Sequence, residues 1–267
     1  MFVEYLSSGI QPVPSQHVEL PNPLIDRLNL FVTLNAEERE AVAGITKSRR
    51  VARANETLVR EGSRPDRIYL ILGGVAFRYR YLANGRRQIF GYLLPGDLCD
   101  TQFVILNECD HNVGLLCDTE VAVISLSALM TVMVKYAKIE RALLMMSLVD
   151  TAMLREWLLN VGQRDASQKL AHFFCELSAR VRGLGVHDVD HGYTIPLTQI
   201  ELADTMGLTV VHVNRILQRF RREGLLRWSR RHFDILDHPQ LEHLAGFNAN
   251  YLRLDQVRAE PKMCAYG

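Results

Sequence analysis

The spacing of apolar residues changes along the chain, and each spacing predicts a different kind of element. Residues 48–126 contain short β-rich runs separated by glycine-bearing turns, of which Asn84-Gly85 is the clearest hairpin signal. Short strands at this spacing are typical of a small antiparallel barrel or jelly roll. The expected strands are residues 68–72, 75–82, 88–94 and 121–125, with turns at Glu61-Gly62, Gly73-Gly74, Asn84-Gly85 and Pro95-Gly96-Asp97.

A long helix is expected next, because residues 138–161 contain neither proline nor glycine. Apolar side chains occur almost all round this helix, and a helix that is apolar on every face is buried on every face. The barrel of the same chain would cover only one side, so we expect a second copy of the chain to cover the other. A monomeric core helix is the alternative interpretation.

Two faces of this helix are candidates for the seam between copies, and the sequence does not choose between them. One face consists of Ala142, Met145, Val149, Ala152, Glu156 and Leu159. The other consists of Leu143, Met146, Asp150, Met153 and Trp157.

Residues 197–226 have the pattern of two helices joined by a tight turn. Thr198 is placed to cap the first helix and Thr209 to cap the second. Gly207 lies between them, where the turn requires a residue that is free to adopt a positive φ. The expected apolar positions are Ile200, Leu202 and Ala203 on the first helix and Val213, Ile216, Leu217 and Phe220 on the second.

The opposite face of the second helix is polar and partly basic, as a helix that enters a major groove requires. An ordinary amphipathic helix pair with a solvated face is the alternative. Turn, caps, apolar register and basic face agree, however, and this agreement favours a DNA-reading helix-turn-helix. The residues expected to contact bases are Val211, His212, Asn214 and Arg215.

Positive charge is concentrated in this region, although the net charge of the 267-residue chain is only +1. Seven arginines and no lysine lie between residues 207 and 233, against one acid, Glu223. Such a confined patch suits phosphate contacts, and arginine makes the more directional ones. Residues 225–228 and 232–236 are expected to form the strands of a wing. The expected phosphate contacts are Thr198, Thr209, Arg219, Arg221, Arg222, Arg230 and Arg231, the last two at the tip of the wing.

Length and composition limit the remaining possibilities. The chain is too long for one helix-turn-helix module, so a second domain is expected to precede it. No segment has the roughly eighteen uncharged apolar residues of a membrane span, and the N-terminus lacks a secretory pattern. An odd number of cysteines without paired spacing favours reduced thiols in a cytosol; they are Cys99, Cys109, Cys117, Cys175 and Cys264.

In its order of β-roll, long helix and winged helix, the chain resembles the Crp/Fnr superfamily of bacterial transcription regulators. The resemblance covers about residues 23–245. It rests on residues 59–77 (VREGSRPDRIYLILGGVAF), on residues 84–98 (NGRRQIFGYLLPGDL) and, most specifically, on the helix-turn-helix ELADTMGLTVVHVNRILQRFRREGLL. The resemblance implies a cytoplasmic homodimer that binds a two-fold symmetric promoter site and contacts RNA polymerase, without enzymatic activity.

The chain departs from this family where the best-known members bind their signals. Cyclic-AMP-responsive members hold the ribose with a Gly-Glu pair and the phosphate with a later Arg-Ser pair. The matching positions here are Asp100-Thr101 and His111-Asn112, so a phosphate would meet an aspartate and no arginine. Residues 1–98 contain no cysteine, which excludes the usual iron–sulfur cluster of oxygen-sensing members.

The sequence therefore does not identify the effector. Either another small molecule fills the β-roll or the protein is active without one, and the cofactor is unknown. The candidate residues for an effector pocket are Asp100, Thr101, His111 and Asn112.

Two other classes of function fit parts of the pattern. A cupin-type metal enzyme needs two histidines separated by one residue, a glutamate and a distant third histidine, but the barrel segment contains only His111. A cyclic-nucleotide-binding subunit of a kinase or channel would lack the winged helix and keep the phosphate-binding arginine. Two further groups of residues have side chains that could bind metal or respond to redox state. Solvation of a surface loop is the favoured interpretation for His187, Asp188, Asp190 and His191. Burial as small hydrophobes is the favoured interpretation for Cys99, Cys109 and Cys117.

The expected architecture is an α+β chain with an N-terminal antiparallel β-roll, a long dimerisation helix and a C-terminal winged helix-turn-helix. The expected partners are double-stranded DNA, RNA polymerase and a second copy, with no membrane. The expected division is an N-terminal extension (1–22), a β-roll sensor (23–137), a dimerisation helix and hinge (138–164), a winged helix-turn-helix (165–245) and a C-terminal tail (246–267).

Overall fold

The computed structural model describes residues 22–99, 106, 108–183, 195–229 and 232–254. Several residues singled out from the sequence lie outside the described residues, and their interpretation stays a prediction. They are residues 1–21, Asp100, Thr101, the loop residues His187, Asp188, Asp190 and His191, the wing arginines Arg230 and Arg231, and Cys264.

Two capped helices begin the described part of the chain. The side chain of Asn22 accepts a backbone hydrogen bond and starts α1 (Pro23–Asn29), which has a proline in its first turn. Asn35 and Glu38 form a capping box that starts α2 (Ala36–Ile45). These local hydrogen bonds satisfy backbone donors that a helix start leaves unpaired.

The described strands that follow form two antiparallel sheets, which confirms the expected β-roll. One sheet has the order β1-β7-β3 and the other the order β2-β6-β4-β5. The sequence pattern missed β1, β2 and β6, because none exceeds four residues and so none is long enough to display an alternating pattern. The strands are β1 (Arg49–Ala52), β2 (Thr57–Val59), β3 (Arg67–Gly73), β4 (Ala76–Tyr81), β5 (Arg87–Leu93), β6 (Asn112–Leu115) and β7 (Thr119–Ser125).

The β4–β5 hairpin turns at Asn84-Gly85, as expected. The backbone N–H of Leu82 donates to the carbonyl of Arg86 at 2.8 Å, and the side chain of Asn84 accepts from the N–H of Arg86 at 3.1 Å. This hairpin carries β5 towards the C-terminal half of the chain.

Helix α3 (Leu126–Lys135) leads into the long helix α4 (Ala137–Gly162), close to the expected bounds. Within the single chain, α4 is buried on one side only, so the expectation of burial all round is not met by this chain alone. The buried positions are Ile139, Ala142, Leu143, Met146, Val149, Met153, Trp157 and Asn160.

The structure corrects one of the two seams named from the sequence and leaves the other partly exposed, with Leu159 51% exposed. Met146, Met153 and Trp157 of one seam, and Val149 of the other, pack inside their own chain. The sequence could not reveal this, because it does not say which apolar face meets the rest of the chain. The exposed face, called the α4 stripe below, is Leu144, Leu148, Thr151, Leu154 and Leu158.

The C-terminal half contains the expected winged helix. A break at residues 163–165 separates α4 from the next helix, and two strands after the helix-turn-helix pair antiparallel as a wing. The elements are α5 (Ala166–Gly183), α6 (Gln199–Met206), α7 (Val210–Arg222), β8 (Leu226–Ser229), β9 (His232–Ile235), α8 (His238–Ala245) and a 3₁₀ helix, η1 (Ala249–Leu252).

One apolar core joins the β-roll to the winged helix. It contains buried side chains of the β-roll, of α4, of α5 and of the helix-turn-helix, including Tyr92, Trp157, Phe174 and Phe220. The winged helix is therefore packed against the rest of its own chain.

Three of the four described cysteines are buried, whereas Cys117 is only half-buried, contrary to the expectation. Cys99, Cys109 and Cys175 are buried, and burial raises the pKa of Cys175 to about 12. Within the described ranges, no group of three or more His, Cys, Asp or Glu side chains is arranged to hold a metal ion. No helix within those ranges has the length and apolar character of a membrane span.

Candidate nucleic-acid interface

Helix α6 has the N-cap at Thr198 and the turn at Gly207 that the sequence predicts. The hydroxyl of Thr198 accepts from the backbone N–H of Glu201 at 3.4 Å, and the carboxylate of Glu201 accepts from the N–H of Thr198 at 2.7 Å. Gly207 ends the helix with φ +65°, the left-handed conformation that the tight turn requires. One expected apolar position is wrong, because Ile200 is 57% exposed.

Helix α7 has one buried and one exposed face, as a recognition helix requires. The hydroxyl of Thr209 caps it by accepting from the N–H of His212 at 3.2 Å. Its buried face consists of the four expected apolar residues, Val213, Ile216, Leu217 and Phe220. The opposite face presents Val211, Asn214, Arg215, Gln218 and Arg219 as exposed side chains, with His212 half-buried beside them.

A residue that the sequence reasoning missed, Gln199, also lies on this face. The side-chain amide of Asn214 donates to Oε1 of Gln199 at 3.2 Å, which joins the first turn of α6 to the exposed face of α7. The sequence could have indicated Gln199 by its position directly after the N-cap Thr198. It lies at the N-terminal end of α6, where the helix dipole favours an anion such as a phosphate.

The candidate phosphate-contacting arginines differ in their surroundings. Arg221 and Arg222 are exposed at the end of α7, as is Arg227 on β8. Arg219 instead donates to Glu223 at 2.8 Å, one helical turn away, and this pair partly neutralises the charge of Arg219. The wing strands pack against α5 through aromatic rings, with Trp228 of β8 and Phe233 of β9 in contact with Phe174 of α5.

The first helix of the helix-turn-helix docks on strand β5 of the β-roll. Arg87 donates to Asp204 at 2.8 Å, and the side chain of Gln88 donates to the carbonyl of Thr205 at 3.0 Å. The hydroxyls of Tyr92 and Thr205 are 2.7 Å apart in a buried hydrogen bond. The sequence gave no indication of these contacts, because their partners lie more than a hundred residues apart.

A buried ion pair strengthens the same boundary. Arg180 on α5 donates to Asp97 at 2.7 Å and to the carbonyl of Tyr92 at 2.9 Å. Burial opposes ionisation of Asp97, but the guanidinium groups of Arg27 and Arg180 outweigh it and lower the pKa of Asp97. Because removing one member would leave the other buried and charged, this pair fixes how α5 meets the β-roll.

A pocket between the β-roll and α4 contains one of the sequence-predicted effector residues. His111 lines it, with Nδ1 2.6 Å from Asp110. Arg78 crosses the pocket from β4 and donates to Asp150 of α4 at 3.2 Å. Asn112 is the first residue of β6, and its side chain accepts from the backbone N–H of Glu61 at 3.1 Å.

A β-roll, a long helix and a capped helix-turn-helix with an exposed basic face define the class of DNA-binding transcription regulators. Comparison with known protein families agrees. Residues 49–136 match the model of the cyclic nucleotide-binding domain, and residues 168–244 match that of the Crp-like helix-turn-helix domain.

Curated relatives point to the same class, and a solved structure shares the fold. The chain is 27% identical to the transcriptional regulatory protein btr of Bordetella pertussis, over 80% of this chain and 88% of that protein. It is 26% identical to the transcriptional activator protein FnrA of Stutzerimonas stutzeri, over 90% and 98% of the two chains. The structure of FixK2 from Bradyrhizobium japonicum matches with a TM-score of 0.66 at 22% identity, over 74% and 96% of the chains.

The chain belongs to the Crp/Fnr family of transcription regulators. It is a DNA-binding transcription regulator, and the comparisons confirm the expectation that it is not an enzyme, because its relatives are regulators. They likewise confirm the expected fold.

Proposed function

We propose that two copies of this chain bind a two-fold symmetric DNA site and regulate transcription from a nearby promoter. The observation that carries the proposal is the exposed face of α7, held between a capped start and a buried apolar side. Two such helices related by a two-fold axis would enter successive major grooves on one side of the duplex.

The proposed subunit contact is the α4 stripe. Leu144, Leu148 and Leu158 are 59%, 58% and 74% exposed in the single chain, an unusual state for leucines so closely aligned. The stripe residues follow one another at spacings of three and four, as in a helix that packs against another helix. A second α4 at the two-fold axis would cover them.

On DNA, Arg215 is proposed to hold a guanine through O6 and N7. In the family's recognition helix a glutamate on the first turn accepts from a cytosine amine, but Val211 occupies that position here and suits a thymine methyl. Asn214 is proposed to contact an adenine, with His212 as a further polar contact. The half-site therefore keeps one guanine and departs from the family's TGA core.

The remaining proposed contacts are to the DNA backbone. Charged and hydroxyl side chains around α7 would approach phosphates, which positions the helix without reading sequence. These residues are Thr198, Thr209, Arg219, Arg221, Arg222, Arg230 and Arg231.

The test is a selection of bound DNA from a random library with the purified full-length protein. A two-fold symmetric sequence is expected from the wild type. Leu148→Glu should make the protein monomeric and abolish enrichment of paired half-sites, whereas Leu82→Glu, at a half-exposed leucine of the β4–β5 hairpin, should change neither. Selection of a single unpaired site by a monomeric wild type would refute the proposal.

The pocket at His111 is proposed to hold an effector other than cyclic AMP. Each arginine of its lining already has a carboxylate partner, Arg78 with Asp150 and Arg27 with Asp97. An added phosphate would meet these two aspartates and also Asp110, which is bonded to His111. Cyclic AMP should therefore leave DNA affinity unchanged. Calorimetric detection of micromolar cyclic-AMP binding that tightens DNA binding would overturn this assignment.

The remaining parts of the proposal follow from family membership. A regulator of this kind is proposed to act in the cytoplasm and to contact RNA polymerase from its promoter site. The division into β-roll sensor, dimerisation helix and winged helix-turn-helix is proposed at the boundaries given from the sequence.

A further inference from the structure

The chain continues past α8, beyond residue 244 where the match to the helix-turn-helix family ends. Gly246 ends α8, and residues 247–254, called the return segment below, pack on α4 and α5. Leu252 of this segment is 2% exposed, and it lies in a cluster with Val149 and Met153 of α4 and Ala179 of α5. The return segment thus brings the end of the winged helix back to the long helix.

A buried carboxylate joins the three elements at this point. Glu176 of α5 is 2% exposed and accepts from the indole Nε1 of Trp157, on α4, at 3.0 and 3.1 Å. It also accepts from the hydroxyl of Tyr251, on the return segment, at 2.7 Å. Because each partner comes from a different element, a change in the angle between α4 and α5 would leave a buried carboxylate under-bonded.

Aromatic and close backbone contacts extend the joint along α5. The imidazole of His172 stacks on Tyr251 with ring centroids 6.1 Å apart and meets the edge of Phe247 at 5.3 Å. At the far end of α5, a Cβ built on Gly183 would lie 2.9 Å from a methyl of Leu254. The side chain of Leu254 thus lies directly against the backbone of α5 at this glycine.

The DNA-binding unit therefore meets α4 in two regions. One is the connection through residues 163–165, where Arg164 pairs with Glu156 and Asn160 donates to the carbonyl of Lys169, and the other is the return segment, which follows α8. Arg180 and Asp97 already hold α5 to the β-roll, and the return segment adds a further restraint on the angle between α4 and α5 around a buried joint.

We propose that the return segment is a strap that fixes the angle between α4 and the winged helix, with Tyr251 and Leu252 as positioning residues for DNA recognition. This rests on the proposed dimer, in which the direction of each winged helix sets the distance between the two recognition helices. The strap would then determine which half-site spacing the dimer accepts.

The experiment compares full-length Tyr251→Phe and Leu252→Ala with the wild type. Tyr81→Phe is the matched control, since Tyr81 is 58% exposed on the β4–β5 hairpin. The first measurement is the rate of trypsin cleavage after Arg164, located by mass spectrometry, because Arg164 lies in the connection between α4 and α5, which opens when the angle between them is free to change. The second is the enrichment of paired half-sites with different spacers in a DNA selection.

We expect both strap variants to be cleaved faster after Arg164, Leu252→Ala by about tenfold or more, and Tyr81→Phe to match the wild type. Their base preference within each half-site should persist while their spacer preference broadens. Unchanged cleavage, or faster cleavage with an unchanged spacer preference, would overturn the strap. If Leu252→Ala fails to fold, the conservative Tyr251→Phe decides the matter. A wild type that selects no paired sites would instead refute the proposed dimer.

Discussion

At the scale of single residues, Arg215 offers the sharpest test of how α7 reads DNA. Its exposed guanidinium is proposed to bond one guanine in two places, so Arg215→Ala should cost about 1–3 kcal/mol of binding free energy. The loss should be confined to the preferred sequence, with preference relaxed at one base pair. Fluorescence anisotropy with wild-type and singly substituted sites measures both effects.

Val211 provides the complementary change on the same face. It is 81% exposed, so a glutamate is accommodated without disturbing the fold. Val211→Glu should shift the preference at its base pair towards C·G, because a carboxylate accepts from the cytosine amine. A wild type that selects the ordinary TGA half-site, unmoved by Val211→Glu, would show that α7 is docked differently from the family's recognition helix.

Glu176 gives a prediction on pH. Burial raises its pKa above the usual 4.5, and the nearby Arg180 and the bonds from Tyr251 and Trp157 only partly offset this effect. The folded state therefore holds the proton more tightly than the unfolded state. This contribution to the free energy of unfolding is fully present below about pH 4.5 and is lost as the pH rises through the folded-state pKa.

Glu176→Gln removes the titration and keeps hydrogen-bonding atoms at the joint. The free energy of unfolding of the wild type minus that of Glu176→Gln should fall as the pH rises above 4.5, measured by urea denaturation over a pH series. A difference that is constant with pH would show that the carboxylate is not held in a buried site.

Local sequence rules predict the residues that form caps and turns. They do not predict pairs of residues that are far apart in the chain. Thr198, Gly207 and Thr209 were recognised because caps and turns depend on neighbours a few positions away. The pairing of Arg180 with Asp97 spans 83 positions and has no local signature.

At the scale of elements, the end of α7 carries a prediction on salt dependence. Arg221 and Arg222 are exposed and lie beyond the proposed base contacts, so each is expected to touch a phosphate. Arg222→Gln should weaken specific and non-specific DNA equally and reduce the salt dependence of binding by about one counterion.

Arg53→Gln is a suitable control for that change, since Arg53 is exposed on the β-roll, where it pairs with Asp118. It should leave the dependence of affinity on salt concentration unaltered. An unchanged slope for Arg222→Gln, combined with a lost preference at one base pair, would place this arginine among the base contacts.

The elements themselves were predictable in proportion to their length. The sequence indicated α4 and the β4–β5 hairpin almost to their ends, because long periodic runs and an Asn-Gly turn are strong local signals. It left open which side of α4 is covered, because that depends on the β-roll and the return segment, which reach this helix from distant parts of the chain.

At the scale of the whole molecule, the contact between β5 and α6 joins the β-roll to the helix-turn-helix. Arg87 reaches Asp204 at 2.8 Å while its guanidinium also lies over the rings of Phe77 and Tyr79, 5.3 and 5.8 Å from their centroids. Strand β5 also belongs to the β-roll that contacts α4, so we expect a change in the β-roll to act on the helix-turn-helix through this contact.

A double-mutant cycle on Arg87→Met and Asp204→Asn measures this coupling. Both side chains are about four-fifths buried, so their interaction free energy should reach about 1 kcal/mol in urea unfolding. The matched pair Arg53 and Asp118, which are 80% and 52% exposed, should give a much smaller value. If the two cycles agreed, α6 would not rest on β5 in solution. The pairing of Arg180 with Asp97, the α4–α5 connection and the return segment would then carry the contact between the β-roll and the DNA-binding unit.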